Sequence, residues 1–309
     1  MRRKQAKRQS QRTHAPHVAK QLRKRVEGAL EGLAQRRVRA EDIHRARKSL
    51  KKARAALRLL RPGITGTQYR TLNATLRDAA RPLGPMRDSK VLPDTLHALE
   101  HRYGEPSRSL KLTGFKHSIN EQRTAHTRQL ATANGTLAHS RELLRESLHV
   151  IAHLPTNGKD HWNTLGKGLR RVYRTTRRAM SEARERAESA AFHEWRKQVK
   201  YFRYELELLE PLLPGVIGEL ADQAHKLSDC LGDEHDLTVL AEAVTEKRDL
   251  IRDEPSLSAL LALIAKRQSE LRERALLRGA RLLADEPKAF ARRFEKYWKQ
   301  WREDHRRAA

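Results

Sequence analysis

The sequence feature that most constrains the fold of this chain is an internal repeat of one segment. The segment HRARKSLKKARAALRLLRP begins at His44, and HEWRKQVKYFRYELELLEP begins at His193, 149 positions further along. In each copy the apolar residues step by three and four, which is typical of one face of an amphipathic helix. These apolar seams are Ile43, Ala46, Leu50, Ala53, Leu57 and Leu60, and Phe192, Trp195, Val199, Phe202, Leu206 and Leu209. The repeat predicts two equivalent long helices, 43–60 and 192–209, related by an approximate twofold axis.

A set of basic residues lies beside each seam and is the same in both copies. At about 100° per residue, its members fall within roughly one third of the helix circumference. This matched set comprises His44, Arg47, Lys48, Lys51 and Arg54 in the first copy, and His193, Arg196, Lys197, Lys200 and Arg203 in the second. Like charges one turn apart cost a helix about 0.2–0.5 kcal/mol per pair, so an ordinary solvated face would mix its signs. The matched set therefore indicates a face that binds an anion.

Other cations of the first copy are not shared with the second. They are Arg45, Lys52, Arg58 and Arg61, and the second copy has Glu194, Tyr201, Glu207 and Glu210 at the equivalent positions. Positions that are free to drift should differ between two copies of a segment. We therefore predict that these unshared cations are ordinary solvated charge.

The composition favours an all-α protein that binds a polyanion. The chain has 65 Lys and Arg against 38 Asp and Glu, a net charge of +27, which calls for a polyanionic partner or an acidic surface. Leu, Ala, Arg, Glu and Lys dominate, aromatic residues make up only 5%, and no alternating strand pattern occurs. The single cysteine, Cys230, excludes an internal disulfide framework and a cysteine-rich metal site, and it favours the reducing cytoplasm.

No segment of the chain has the character of a signal peptide or a membrane anchor. The basic N-terminus is not followed by an apolar segment, as a signal peptide would require. The longest apolar run, 257–265, is interrupted by Ser258 and falls far short of the ~20 residues that a membrane helix needs. We therefore expect a soluble, cytoplasmic protein with no membrane partner.

Charge, proline and glycine divide the chain into four segments. Residues 1–16 form a basic arm predicted to be disordered, because residues 2–12 carry six cations and no acid. The predicted first bundle, 17–155, and second bundle, 156–286, meet near Pro155, Asn157 and Gly158. Residues 287–309 form a C-terminal helix, whose Phe294, Trp298 and Trp301 we expect to be packing residues and not platforms for nucleic-acid bases.

Within each half, further helices flank the repeated one. In the first half a helix is predicted to begin near His17. Its counterpart near Gly166 is a second basic helix, and the sequence does not determine which of its arginines point the same way; they are Arg170, Arg171, Arg174, Arg177 and Arg178. A third helix in each half ends in Leu-Gly, at Gly84 and Gly232, where a glycine can close a helix in the left-handed conformation.

Two aspartates occupy equivalent positions after these glycines, where a fourth helix is predicted to begin in each half. Asp88 in PMRDSKVL aligns with Asp236 in DEHDLTVL. Each could cap the N-terminus of that helix, where a carboxylate accepts hydrogen bonds from free backbone amides and meets the positive end of the helix dipole. Each could instead orient a nearby arginine or histidine. Both roles stay open on the sequence alone.

An enzymatic function is not favoured by any motif. His235 and Asp236 form an HD pair, which serves as metal ligands in one class of phosphohydrolases. That class also requires further histidines and a distant aspartate, and the other half of this chain has Arg87-Asp88 at the same position. No P-loop or other nucleotide-binding motif is present. We therefore predict a binding module with no catalytic residue, no metal and no cofactor.

These motifs resemble the CHAD family, the conserved-histidine α-helical domain. The resemblance rests on H-x-x-R-K-x-x-K-x-x-R in both halves, on LGPMRD and LGDEHD, and on the duplication itself. It implies two pseudo-twofold-related four-helix bundles around a basic channel that binds inorganic polyphosphate. The matched set would line this channel, and we also expect Arg170, Arg174 and Arg177 of the second basic helix to bind polyphosphate. It also leads us to expect association with polyphosphate granules. In the alternative reading, His44 and His193 are merely satisfied at a bundle interface.

Nucleic-acid binding is the second function that the charge supports. A pI of about 10.8 and the basic N-terminal arm both favour it. However, the matched cations lie directly beside the apolar seams, where they would face a groove between helices and not a wide duplex. We therefore predict polyphosphate as the main partner and weaker, non-specific binding of nucleic acid. A bound phosphate should raise the pKa of His44 and His193 and strengthen their contribution.

Overall fold

The computed structural model describes residues 14–36, 38–84, 91–132, 134–155, 161–251 and 253–307. These residues contain no β-strand, which confirms the predicted all-α class. The helices are α1 (His14–Leu33), α2 (Ala40–Leu60), α3 (Gly66–Ala80), α4 (Val91–Tyr103), α5 (Glu105–Arg108), α6 (Thr113–Thr132), α7 (Asn134–Ala152), α8 (His161–Arg186), α9 (Ser189–Leu209), α10 (Pro214–Glu246), α11 (Glu254–Leu282) and α12 (Pro287–Arg307). Residues 1–13 of the predicted basic arm lie outside the described residues, and α1 begins three positions before His17.

The two repeated helices form as predicted, at α2 and α9. Every residue of both apolar seams is at most 3% exposed, so the seams are the buried faces of these helices. Each helix gives way to a short 3-10 turn that contains Pro62 or Pro211. The turn falls there because proline has no N–H to donate to the preceding helical turn and its ring clashes with that turn.

The helices pack in two groups that share contacts through α2. In the first group α1 packs against α2, α2 against α3, α3 against α7, and α7 back against α1. In the second group α8, α9, α10 and α11 pack successively, and α12 packs on α8. Because α2 also packs against α8 and α9, the two repeated helices lie in direct contact with each other. Helix α4 packs against α10 and α11 of the second group.

The two Leu-Gly sites differ from the prediction. Helix α10 runs unbroken through LGDEHD, so Gly232 closes no helix and no fourth helix begins after it. Gly84 follows the end of α3, but among the described glycines only Gly104 has a positive φ. Both glycines instead lie against arginines of the matched set. A Cβ on Gly84 would lie 2.9 Å from Nη1 of Arg47, closer than van der Waals contact allows, and one on Gly232 would lie 3.8 Å from Nε of Arg196.

This difference removes one of the roles that the sequence left open for Asp236. Asp236 lies in the interior of α10, where the backbone amides are already bonded within the helix, so it does not cap an N-terminus. Its counterpart Asp88 and the neighbouring Arg87 lie outside the described residues, as do Asn157 and Gly158 of the predicted boundary. Over the described ranges, no helix is both long and apolar enough to cross a membrane.

The C-terminal helix begins at Pro287, as predicted, and its aromatic residues pack inward. Phe294 is fully buried and Trp298 is 6% exposed. The indole of Trp298 lies 6.0 Å from that of Trp162 on α8, measured between ring centroids. These two side chains are therefore packing residues, as the sequence analysis expected.

Candidate functional site

The matched set lies on two helices that touch, at the boundary between the core and solvent. On α2, Arg47, Lys51 and Arg54 are partly buried, and His44 and Lys48 are exposed. On α9, the partly buried members are His193, Arg196, Lys200 and Arg203, and Lys197 is exposed. This placement follows from their position next to the buried seam, because long basic side chains bury their stems and keep their charged ends near water.

Two contacts join α2 to α9 and are counterparts of each other in the repeat. Lys52 Nζ lies 2.6 Å from Glu207 Oε2, and the guanidinium of Arg58 lies 3.9 Å above the ring of Tyr201. Position 52 of the first copy is equivalent to 201 of the second, and 58 is equivalent to 207. The contact between positions 52 and 207 therefore maps onto the contact between positions 201 and 58 when the two copies are exchanged. Contacts across an isologous twofold interface are related in the same way.

These contacts correct the prediction for two of the unshared cations. Lys52 has only 21% of its side chain exposed, and Arg58 is partly buried against an aromatic face. The two copies diverged at these positions because opposite charges, or a cation and an aromatic ring, attract across the interface where two cations would repel. In contrast, Arg45 and Arg61 are exposed, and among the described residues they make only contacts outside the α2–α9 interface, Arg45 with Asp42 of its own helix and Arg61 with the ring of Tyr69.

The cations of the two copies have different neighbours. Arg54 donates from Nε to the neutral Oδ1 of Asn73 at 3.0 Å, and burial lowers its pKa below the usual range. On α9, Arg203 donates from Nε to Glu207 at 2.9 Å, and Lys197 is paired with Glu194. Two of the α9 cations are therefore partly neutralised by acids of their own helix.

A histidine pair lies on the α9 side of the matched set. The Nδ1 atoms of His193 and His235 are 3.2 Å apart, close enough for one protonated nitrogen to donate to the other. The pKa of His193 is lowered to about 4, chiefly by burial and in addition by His235, Arg196 and Lys197. His193 is therefore neutral at neutral pH in the free protein. Among the described residues no cluster of three or more His, Cys, Asp or Glu side chains has the arrangement of a metal site.

Helix α8 brings part of its predicted basic face to the end of α2. Arg170 and Arg174 line a shallow depression of about 250 Å³ together with Lys167, Arg171 and Pro62. Arg177 lies apart from it, because its Nη1 is bound to Glu286 Oε1 at 2.6 Å.

Arg171 also lines this depression, although the sequence analysis places it on the basic helix without counting it among the polyphosphate-binding residues. Burial lowers its pKa, and the nearby Arg61 lowers it further. The positions 167, 170, 171 and 174 share one helical face, and this spacing is the signal that could have identified Arg171.

Comparison with known proteins identifies the family but gives no named relative. A search of curated proteins finds no match. The family model described as CHAD domain matches residues 4–245, which include both copies of the repeated helix and the LGDEHD motif. Because the match covers most of the chain and both copies of its motif, the chain belongs to the CHAD domain family.

Proposed function

We propose that this protein binds inorganic polyphosphate without chemical turnover, through the matched set on α2 and α9. The observation that carries the proposal is that the matched set is basic, that most of its members are partly buried, and that it lies on two helices in direct contact. Polyphosphate binding is a general property of the family to which the chain belongs, and a net charge of +27 suits such a partner.

The chemistry of a phosphate chain fits this set of side chains. A polyphosphate offers a repeated row of anionic oxygens, and it needs repeated charge-assisted hydrogen bonds from the protein. Arginine can grip two oxygens at once, whereas lysine supplies a compact charge. Positions i, i+3, i+4 and i+7 rise by about 4.5–10.5 Å along a helix, so each repeated helix follows several phosphates.

In the proposed architecture, two four-helix bundles related by a pseudo-twofold axis enclose the channel. The closed ring of α1, α2, α3 and α7 supports this arrangement, as does the succession of α8 to α11. The reciprocal contacts of Lys52 with Glu207 and of Arg58 with Tyr201 support the axis between α2 and α9. Asp236 would orient the basic side chains near His193. We further propose that the protein is cytoplasmic, associates with polyphosphate granules, and uses neither metal nor cofactor.

Competition between polyphosphate and duplex DNA at increasing salt tests this proposal. Binding of DNA to an open basic surface should weaken with a log–log slope of about −0.9 per phosphate neutralised. A thin chain held between two helices is screened less than a duplex on the surface. We expect polyphosphate to remain bound at salt concentrations that release DNA, and excess polyphosphate to displace DNA. If DNA displaces polyphosphate at about 150 mM salt, the protein is a nucleic-acid-binding protein.

A further inference from the structure

A second basic groove lies between α8 and α12, away from the matched set. It has a volume of about 500 Å³, and the indoles of Trp162 and Trp298 form part of its wall. Its cations are Lys167, Arg170, Lys288, Arg292, Lys299 and Arg302. Glu295 is the one acid among the described residues that line it, and its Oε1 lies 2.9 Å from Nζ of Lys299. The groove therefore carries a large excess of positive charge.

Aromatic packing between α8 and α12 fixes the two helices that form the groove relative to each other. Phe290 on α12 stacks on Tyr173 of α8 with 4.0 Å between ring centroids, and both rings are buried. The guanidinium of Arg302 lies 4.7 Å above the ring of Trp298, which fixes one side of the groove. Since α12 already packs on α8, a ligand need not order this helix, and the entropy lost on binding comes mainly from the side chains that contact the ligand.

The groove continues towards the repeated helices. Lys167 and Arg170 line both the groove and the depression at the end of α2, which also includes Pro62, Arg171 and Arg174. Arg61, in the turn that follows α2, is close enough to Arg171 to influence its ionisation. A row of cations thus runs from the end of α2, across α8, to α12.

We propose that the α8–α12 groove binds a second stretch of the polyphosphate chain whose first stretch lies on the matched set. This inference rests on the proposed function and extends the binding path beyond the family match, which ends at residue 245, before α12 begins. The indoles in the groove wall are at most 7% exposed, so they offer no free face on which a base could stack. The groove therefore suits recognition of phosphate groups and not of bases.

The test uses a triple variant of the full chain, Lys288→Gln, Arg292→Gln and Arg302→Gln. The matched control is Lys296→Gln, Arg306→Gln and Arg307→Gln, which removes the same charge from exposed positions of α12 outside the groove. Affinity for long-chain polyphosphate and for single-stranded DNA is measured by fluorescence anisotropy over a salt series. Circular dichroism reports whether each variant keeps its helices.

We expect the groove variant to lose on the order of tenfold in polyphosphate affinity, and its salt slope to decrease by about two. The control variant should bind like the unmodified protein. Equal affinities of the two variants for polyphosphate would overturn the proposal, and so would a loss confined to single-stranded DNA. If the unmodified protein itself does not bind polyphosphate, the proposed function fails, which is a separate result from failure of the groove alone.

Discussion

The environment of His193 couples its protonation to the anion that the site would hold. Its neighbours include the cations Arg196 and Lys197, the imidazole of His235 and one acid, Glu194. Burial and this excess of positive charge depress its pKa to about 4, so the free site holds a neutral imidazole at neutral pH. A bound phosphate would offset the positive neighbours and raise the pKa.

The consequence is a binding affinity that depends on pH. Because the bound state would have the higher pKa, binding takes up a proton, and affinity for polyphosphate should increase as the pH falls towards about 4. One proton taken up gives at most about a tenfold gain per pH unit. Titrations of the wild type and of His193→Gln over a pH series measure this effect.

The pH series has a matched control in His117→Gln. His117 is an exposed histidine whose Nε2 lies 3.2 Å from Glu121 of its own helix, outside the matched set. The His193→Gln variant should show a flatter pH dependence than both the wild type and the control. Identical pH profiles for all three proteins would show that His193 does not titrate with binding.

At the scale of elements, the contact between α2 and α9 rests on residues that differ between the two copies. Lys52 and Glu207 are 21% and 26% exposed, so water screens their attraction less than it screens a fully exposed pair. The double-mutant cycle of Lys52→Met and Glu207→Gln should therefore give a coupling energy of about 1 kcal/mol in urea unfolding. Removing either partner alone should destabilise the packing of the two helices.

An exposed ion pair within one helix provides the reference for this cycle. Arg23 and Glu27 of α1 lie 2.7 Å apart and are 59% and 39% exposed. Their cycle, Arg23→Met with Glu27→Gln, should give no more than about 0.5 kcal/mol. If the Lys52–Glu207 coupling is no larger than that of the reference, Lys52 is solvated charge, as its absence from the second copy suggested.

The helices that the sequence predicted correctly are those whose signal is local and periodic. The seams of α2 and α9 needed only their spacing, because a buried stripe at three- and four-residue steps determines a helix and its inner face. The prediction that Gly232 ends a helix is wrong, because a Leu-Gly dipeptide can either close a helix or leave room for a side chain of a neighbouring helix. Here the glycine lies against Arg196, which comes from a different helix, and local sequence carries no record of such a contact.

The candidate site shows the same division. The residues shared by the two copies identify the matched set. A position that differs between the copies, however, can still have a structural role, which the sequence alone does not show. Across the helix contact, Lys52 faces Glu207, the counterpart of Arg58, and Arg58 faces Tyr201, the counterpart of Lys52. Only the packing reveals this relation. Similarly, Arg171 and the cations of α12 join one surface because α8 packs on both α2 and α12.

At the scale of the whole molecule, the net charge of +27 attracts any polyanion, so charge alone does not define a site. What distinguishes the proposed site from the general surface is position. Its cations are repeated, mostly partly buried and gathered on two helices in contact, whereas lysines such as Lys20 of α1, Lys226 of α10 and Lys296 of α12 are exposed and lie on separate helices. We therefore expect polyphosphate affinity to depend on where the cations lie, and not only on the net charge of the protein.

The most direct measurement compares two quadruple variants that change the net charge equally. The site variant is Lys48→Glu, Lys51→Glu, Lys197→Glu and Lys200→Glu, and the control is Lys20→Glu, Lys24→Glu, Lys226→Glu and Lys296→Glu, all exposed positions outside the matched set. Calorimetric titration with long-chain polyphosphate is performed at about 150 mM salt, where the Debye length is about 8 Å. With helicity retained in both, the site variant should lose binding and the control should weaken only a few-fold. Equal losses in the two variants would contradict the account and show that binding depends on diffuse charge.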